Sequence, residues 1–368
     1  MKKMRGRELG LKFEGLTGEF NAITDVPGVL VGQTTLIDTV RPTPGGEPRQ
    51  VRTGVTAILP FGHDSSAKIA HAGKFALNGN GEMTGTHWIK DAGYFLGPIC
   101  VTNTHSVGIT HHAATKWMIS QYQEAFEQNH LWAMPVIAET YDGVLNDING
   151  QHVTEQHVFE ALNTAGPGPV VEGNSGGGTG MICYEFKGGT GTSSRRVIID
   201  SETYSIGVLV QANHGQRDWL TILGERVGDA MRDDVLLEKE NGSIIVIIAT
   251  DAPLRPDQLR RIAKRGAIGI SKTGSPGGNN SGDIFLAFST GNARTLPQVD
   301  SAHQTMRHLN DEHLDEVYNA VVQATDESII NAMLAAEDTP TIKPKGLTCK
   351  AIDHDALVAL LRKAGKCR

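Results

Sequence analysis

Ile244-Ile245-Val246-Ile247-Ile248 is an unbroken apolar run with no polar alternation. A strand that is apolar at every position is one covered on both faces, so the run predicts a buried central strand over Ser243–Thr250. Strand-like runs also occur at Pro27–Val31, Val55–Leu59, Ile99–Thr102, Pro135–Ala138, Arg196–Asp200, Ile206–Gln211 and Ile284–Phe288. Helical spacing predicts other elements. His112–Gln128 carries Ala113, Trp117, Met118 and Tyr122 along one stripe, and Pro256 opens a helix with Leu259, Ile262 and Ala263 inward. Leu314, Val317, Tyr318, Val321 and Val322 follow Asn310 at helical intervals. Ile329, Ile330, Met333 and Leu334 repeat the pattern, as do Leu357, Leu360 and Leu361 before Gly365. These elements are mixed without regular βαβ alternation, which favours helices packed on layered sheets over a doubly wound fold.

Between these elements, Arg41–Arg49 reads as an exposed loop, rich in proline and glycine. Arg232–Asn241 reads as a charged, solvent-exposed linker. The chain has 368 residues, 39% of them hydrophobic, and 43 glycines, as expected of a loop-rich globular protein with a sizeable core. A net charge of −7 with interspersed signs offers no basic stripe, which argues against a nucleic-acid partner. Lys2, Lys3, Arg5 and Arg7 precede no apolar segment, and no run approaches the roughly 18–20 apolar residues of a spanning helix. No membrane partner is expected, and the expected location is cytoplasmic. Cys100, Cys183, Cys349 and Cys367 lack CxxC spacing, and no HExxH is present, so no metal centre or other cofactor is expected. Gly173–Gly180 lacks the lysine of a phosphate loop and is better read as close backbone packing near a site.

The chemistry concentrates where the charged linker meets the apolar run. Gly242 leaves its carbonyl open to attack, and Ser243 stands rigidly at the mouth of a core strand. The pair fits either a tight turn or a self-cleavage site that would leave Ser243 as an N-terminal nucleophile. Four further segments could serve such a serine. Asn213 ends one strand and can donate to an oxyanion. Ser281 and Asp283 open another and could share a strand face. Glu139 and Tyr141 follow the Pro135 run, and Gly79–Gly85 forms a glycine-rich loop. Each alone also suits ordinary structural work, such as a turn cap, a surface charge or a loop brace.

Taken together these segments resemble the L-aminopeptidase/D-esterase family, which includes the β-peptidyl aminopeptidases. The likeness is carried by Asn21–Val29, Gly79–Gly85, Asn174–Gly178, Ala212–Gly215, Gly242–Ala252 and Thr273–Ser289, spanning about residues 20–336. The resemblance implies an α+β fold, a four-layer αββα sandwich similar in outline to N-terminal nucleophile hydrolases but differently connected. It implies one domain over 1–368, processed between Gly242 and Ser243 into chains 1–242 and 243–368, and a homotetramer of two-chain protomers. On this resemblance Ser243 is the nucleophile, Asn213 the oxyanion donor, and Ser281 with Asp283 the pair that orients the nucleophile. Asp283 departs from the glutamate of some β-peptidyl relatives. Tyr141 matches an active-site tyrosine, and Glu139 the acid that receives the substrate's amino group. The expected substrates are short peptides, amino-acid amides or esters. Rivals are a self-cleaving acyltransferase of the ornithine acetyltransferase type, whose nucleophile is normally threonine, and a non-catalytic glycine-rich binding protein.

Overall fold

The computed structural model describes residues 4–41, 46–236 and 242–368. Strands β1 (Leu30–Val40), β2 (Arg49–Leu59) and β3 (Ile69–Ala76) come first, then α1 (Thr86–Ala92), β4 (Tyr94–Leu96) and β5 (Ile99–Asn103). Helices α2 (Val107–Gln121) and α3 (Gln123–Gln128) lead to β6 (Val136–Thr140) and α4 (Glu155–Asn163). A short pair, β7 (Ile182–Cys183) and β8 (Phe186–Lys187), precedes the long hairpin β9 (Gly189–Ile199) and β10 (Glu202–Asn213). After α5 (Val227–Ala230) come β11 (Ser243–Thr250), α6 (Pro256–Lys272), β12 (Ile284–Arg294) and α7 (Asp315–Leu334). The hairpin β13 (Thr339–Ile342) and β14 (Lys345–Cys349) and helix α8 (His354–Lys363) close the chain.

Two sheets carry the architecture, one ordered β1-β2-β5-β6 and the other β4-β3-β12-β11-β10-β9. The period-2 alternation of β11 shows how they stack. Ile245, Ile247 and Ala249 meet Ile58, Ile99, Val101 and Ala138 of the smaller sheet in a core between the sheets. Ile244, Val246 and Ile248 face the other way, against Leu259 and Ile262 of α6 and Val317 and Val321 of α7. On the far side of the smaller sheet, Ala57, Cys100 and Ile137 pack on Trp117 and Met118 of α2 and Val158 and Leu162 of α4. The result is four layers, αββα, with a core between each adjacent pair. Truncating a residue such as Ile247 to alanine in this central strand would cost about 2–5 kcal/mol.

Several elements differ from the hydrophobic pattern in instructive ways. The first strand begins at Leu30, not Pro27, and runs on through polar residues to Val40 in a ladder with β2. Pro135 lies outside β6, and β9 extends back to Gly189 and ends at Ile199, with Asp200 in the following turn. The stripe from His112 is two helices, because Tyr122 leaves helical geometry at ψ 37°. Conversely, the two apolar patterns after Asn310 form one helix, α7, and Asn310 caps the short turn before it rather than the helix itself. Arg41 and Arg49 flank a β1–β2 connection whose residues 42–45 lie outside the described residues, and Arg49 already belongs to β2. Arg232–Val235 of the charged linker are exposed, while residues 237–241 lie outside the described residues. Among the described residues no helix is long and apolar enough to cross a membrane.

Candidate active site

The site lies where β10 and β11 end together. The two strands pair antiparallel with Asn213 opposite Ser243 at the last rung. Ser243 shares its strand face with Ile245 and Ile247, so its side chain emerges at the mouth of the layer between the sheets, with only 7% of the residue exposed. Gly242 packs against the facing strand. A Cβ there would sit 1.7 Å from the Asn213 carbonyl oxygen, so no other residue fits without moving the backbone. Close approach to the facing backbone is therefore what requires glycine here.

Ser243 Oγ accepts a hydrogen bond from the main-chain N–H of Gly282 at 2.9 Å. Ser281 Oγ donates to Asp283 Oδ1 at 2.5 Å, so the expected pair is formed. It lies in the turn before β12 rather than along a strand face, since β12 begins at Ile284. Asp283 Oδ1 also accepts the N–H of Ile244, the residue after the serine, at 3.3 Å. Asn78 Nδ2 donates to the second oxygen, Oδ2, at 3.2 Å. Burial pushes the Asp283 carboxyl above the usual aspartate value, against the pull of these three donors.

Asn213 is oriented without ambiguity. Ile182 N–H of β7 donates to its Oδ1 at 2.8 Å, so the amide nitrogen must point the other way. That nitrogen donates to the Tyr141 carbonyl at 3.0 Å, which leaves its second hydrogen for a ligand. Tyr141 thus serves Asn213 through its backbone. Its side chain is 38% exposed and folds back over Gly143. Among the described residues its hydroxyl makes no hydrogen bond to Ser243.

The Gly79–Gly85 loop joins Glu139 to the serine. Leu77 N–H donates to the Asp283 carbonyl at 2.9 Å, and Asn80 Nδ2 donates to the Asn280 carbonyl at 2.6 Å. A Cβ on Gly81 would lie 3.3 Å from both Glu139 Oε1 and Gly282 Cα. The Glu139 carboxylate is therefore one residue's thickness from the segment that bonds Ser243. Glu139 is 4% exposed, accepts the Glu82 N–H at 2.8 Å and takes a short bond from the Thr104 hydroxyl. Burial raises its pKa above the usual glutamate value, although both donors oppose the shift. Strand β6 carries Glu139 and stops at Thr140, so Tyr141 lies just beyond the strand.

His214 follows Asn213 but is no proton acceptor near neutral pH. Burial drives its pKa down to about 3, and its ring stacks edge-on against Tyr184. Gly176–Gly180 forms a wholly buried turn packed on β2, β5 and β9, in line with the close-packing reading of this glycine cluster. Sequence reasoning missed Asn78, Thr104 and the N–H groups of Ile182 and Gly282. Asn78 directly precedes the glycine motif, which was the one available signal. Main-chain donors leave none.

The profile of peptidase family S58 matches residues 21–346. The chain is 44% identical over 374 aligned positions to the beta-peptidyl aminopeptidase BapA of Sphingosinicella microcystinivorans, covering 98% of this chain and 92% of that protein. Among solved structures it resembles the L-aminopeptidase D-Ala-esterase/amidase of Ochrobactrum anthropi, described as a prototype serine aminopeptidase with a variant Ntn-hydrolase fold. That likeness has a TM-score of 0.94 at 53% identity, with 99% of each chain covered. A Burkholderia sp. beta-aminopeptidase superposes with a TM-score of 0.88 at 42% identity, over 98% of this chain and 99% of that one. A serine at the mouth of a core strand whose Oγ accepts a main-chain N–H, on an αββα frame shared over nearly its whole length with these enzymes, leads to one assignment: the chain belongs to peptidase family S58, the serine aminopeptidases.

Proposed function

We propose that Ser243 is the nucleophile for two acyl transfers, first on its own chain and then on substrate. In the first, Ser243 Oγ bonds to the Gly242 carbonyl carbon, the Gly242–Ser243 C–N bond breaks, and the hydroxyl proton ends on the Ser243 nitrogen. Water then hydrolyses the ester, leaving chain 1–242 with a new carboxylate and chain 243–368 with a free α-amine. In the second, Ser243 Oγ attacks the carbonyl of a short peptide, amino-acid amide or ester. The amine or alcohol departs, and water releases the acyl group.

The observation that carries this reading is the Gly282 N–H bond to Ser243 Oγ beside a Gly242 wedged on the Asn213 backbone. Charge grows on Oγ as its proton leaves and then on the attacked carbonyl oxygen. The spare Asn213 N–H is available to the latter. The free α-amine of Ser243, with a reference pKa of ~7.7–8.0, is partly neutral near pH 7 and can accept the hydroxyl proton. The buried neutral His214 supplies no alternative base. The Ser281–Asp283 pair is a second route for that proton. Glu139 receives the substrate's ammonium. A homotetramer of two-chain protomers and a cytoplasmic location belong to the same proposal.

Denaturing mass spectrometry of purified protein, paired with a screen of amino-acid amides and short peptides, tests the whole. Two chains divided at Gly242/Ser243, and loss of both cleavage and hydrolysis in Ser243→Ala, are expected. An active wild type found only as the full-length chain would overturn self-processing. Transfer of the acyl group to an added amine in preference to water would favour the acyltransferase rival.

A further inference from the structure

Arg217 is 1% exposed, although a guanidinium is buried cheaply only when its donors are paired and its face is covered. Its face lies over the Phe186 ring, 3.3 Å from the centroid. Nε donates to the Tyr184 carbonyl and Nη2 to the Glu185 carbonyl, each at 2.9 Å. Those bonds clasp the tight turn between β7 and β8, where Tyr184 and Glu185 both hold left-handed φ. Nη1 reaches in the other direction, to the carbonyls of Met231 at 2.7 Å and Asp233 at 3.1 Å.

Those two carbonyls belong to the segment that runs towards Gly242. Leu236, three residues on, is half-buried against Leu145, Ile182 and Cys349. Both anchors converge on the β7–β8 hairpin, Arg217 on its turn and on Phe186, and Leu236 on Ile182, whose N–H fixes the Asn213 amide. Six chain steps separate Leu236 from Gly242, a reach of at most about 20 Å. A tail of charged residues without anchors would add loop-closure entropy to every approach of Gly242 to its place beside Asn213.

We propose that Arg217 is a positioning residue for chain cleavage: with Leu236 it docks residues 231–236 onto the β7–β8 hairpin and so helps present the scissile Gly242 carbonyl to Ser243 Oγ. The inference rests on the reading of Ser243 as a self-cleaving nucleophile. Burial lowers the Arg217 pKa to about 10, which leaves it cationic at neutral pH. The guanidinium grips carbonyls of the segment that cleavage turns into a chain end, so its influence falls on the cleavage rate more than on turnover.

The experiment follows full-length chain to cleaved chain by denaturing mass spectrometry after synthesis, in wild type, Arg217→Ala and Leu236→Ser. A misplaced carbonyl should slow cleavage roughly 10–100-fold in Arg217→Ala. Methylguanidinium at millimolar concentration should restore much of the rate by refilling the vacated site. Leu236→Ser, which leaves the guanidinium in place, should also slow cleavage, while turnover per cleaved chain stays within about threefold. Wild-type cleavage rates in either folded variant would overturn the proposal, as would a slow Arg217→Ala that methylguanidinium leaves unchanged. If Arg217→Ala fails to fold, Leu236→Ser decides alone. A wild type that never cleaves removes the underlying reading as well, whereas cleavage at equal rates in all three removes only the docking role.

Discussion

Gly282 donates its main-chain N–H to Ser243 Oγ at 2.9 Å, across 39 residues of sequence. The bond holds an acceptor face of the hydroxyl and leaves its proton free to depart elsewhere, which is the geometry a nucleophile needs. It is also locked from behind. A Cβ on Gly282 would lie 2.3 Å from the Asn80 carbonyl oxygen and 2.8 Å from the Gly81 nitrogen, both backbone atoms.

Gly282→Ala should therefore displace either the 78–82 loop or the 281–283 turn and lengthen the bond to Ser243. Loss of one such donor is expected to lower kcat on the order of 10²-fold, with overpacking costing about 1–3 kcal/mol of stability. Gly81→Ala meets its nearest neighbours at 3.3 Å and should be milder on both counts. Equal kcat in the two variants, measured on one amide substrate, would show that the Gly282 N–H contributes nothing to turnover.

Asn213→Ala removes the amide that stands opposite Ser243 on the last rung. A contact that strengthens in the transition state appears in kcat, so kcat should fall roughly 10²–10³-fold with little change in KM. The variant also strips the partner from Ile182 N–H, so part of any loss of melting temperature belongs to β7. A change confined to KM would make Asn213 a substrate-positioning residue instead.

What the sequence made legible was the chemistry of side chains and the faces of uniform strands. Ser243 stood out because Gly242 and the apolar run bracket it, and the alternation of β11 then places both cores. Pairing register was not legible. Nothing local to Asn213 says that it faces Ser243 on the last rung, because register depends on the turn and core of the whole sheet. Strand β3 went unread because His71, Gly73 and Lys74 interrupt its apolar residues. The split of α2 from α3 hangs on the backbone of Tyr122 alone, a residue whose side chain fits the stripe and is buried as expected. Glu139 was legible as an acid, but one of its donors sits in a loop more than fifty residues earlier and the other, Thr104, in a separate segment after β5.

Asn78 links that loop to the acid of the site and suggests a pH test. Burial raises the Asp283 pKa, and Asn78 Nδ2 is one of the donors holding it down. Removing a donor to the charged form raises the pKa further. If turnover needs Asp283 ionised, activity is lost as pH falls through the folded-state value, which already lies above the ordinary 3.8. Asn78→Ala should then move the acidic limb of the kcat/KM profile to higher pH. Superimposable acidic limbs in the two proteins would mean that the charge on Asp283 does not limit turnover.

In the proposed function, the distinction between an aminopeptidase and a general amidase falls on Glu139. Its carboxylate is nearly buried beside Gly81, and burial holds its pKa up in the absence of a cation. A substrate ammonium seated there would supply the missing countercharge through a charge-assisted hydrogen bond. Such a bond is worth about 1.5–3 kcal/mol, or roughly 10–100-fold in affinity. Glu139→Gln keeps an oxygen for the Glu82 N–H while losing the charge, so the fold should survive. The variant should lose about that factor in kcat/KM on free-amine substrates and discriminate less against N-acetylated ones, which the wild type should barely turn over. Lowering the pH towards the raised Glu139 pKa should increase the wild-type KM in the same direction, because the protonated acid no longer attracts the amine. Equal cleavage of acetylated and free-amine substrates by the wild type would remove Glu139 from recognition and leave Ser243 as the nucleophile of an amidase without amine selectivity.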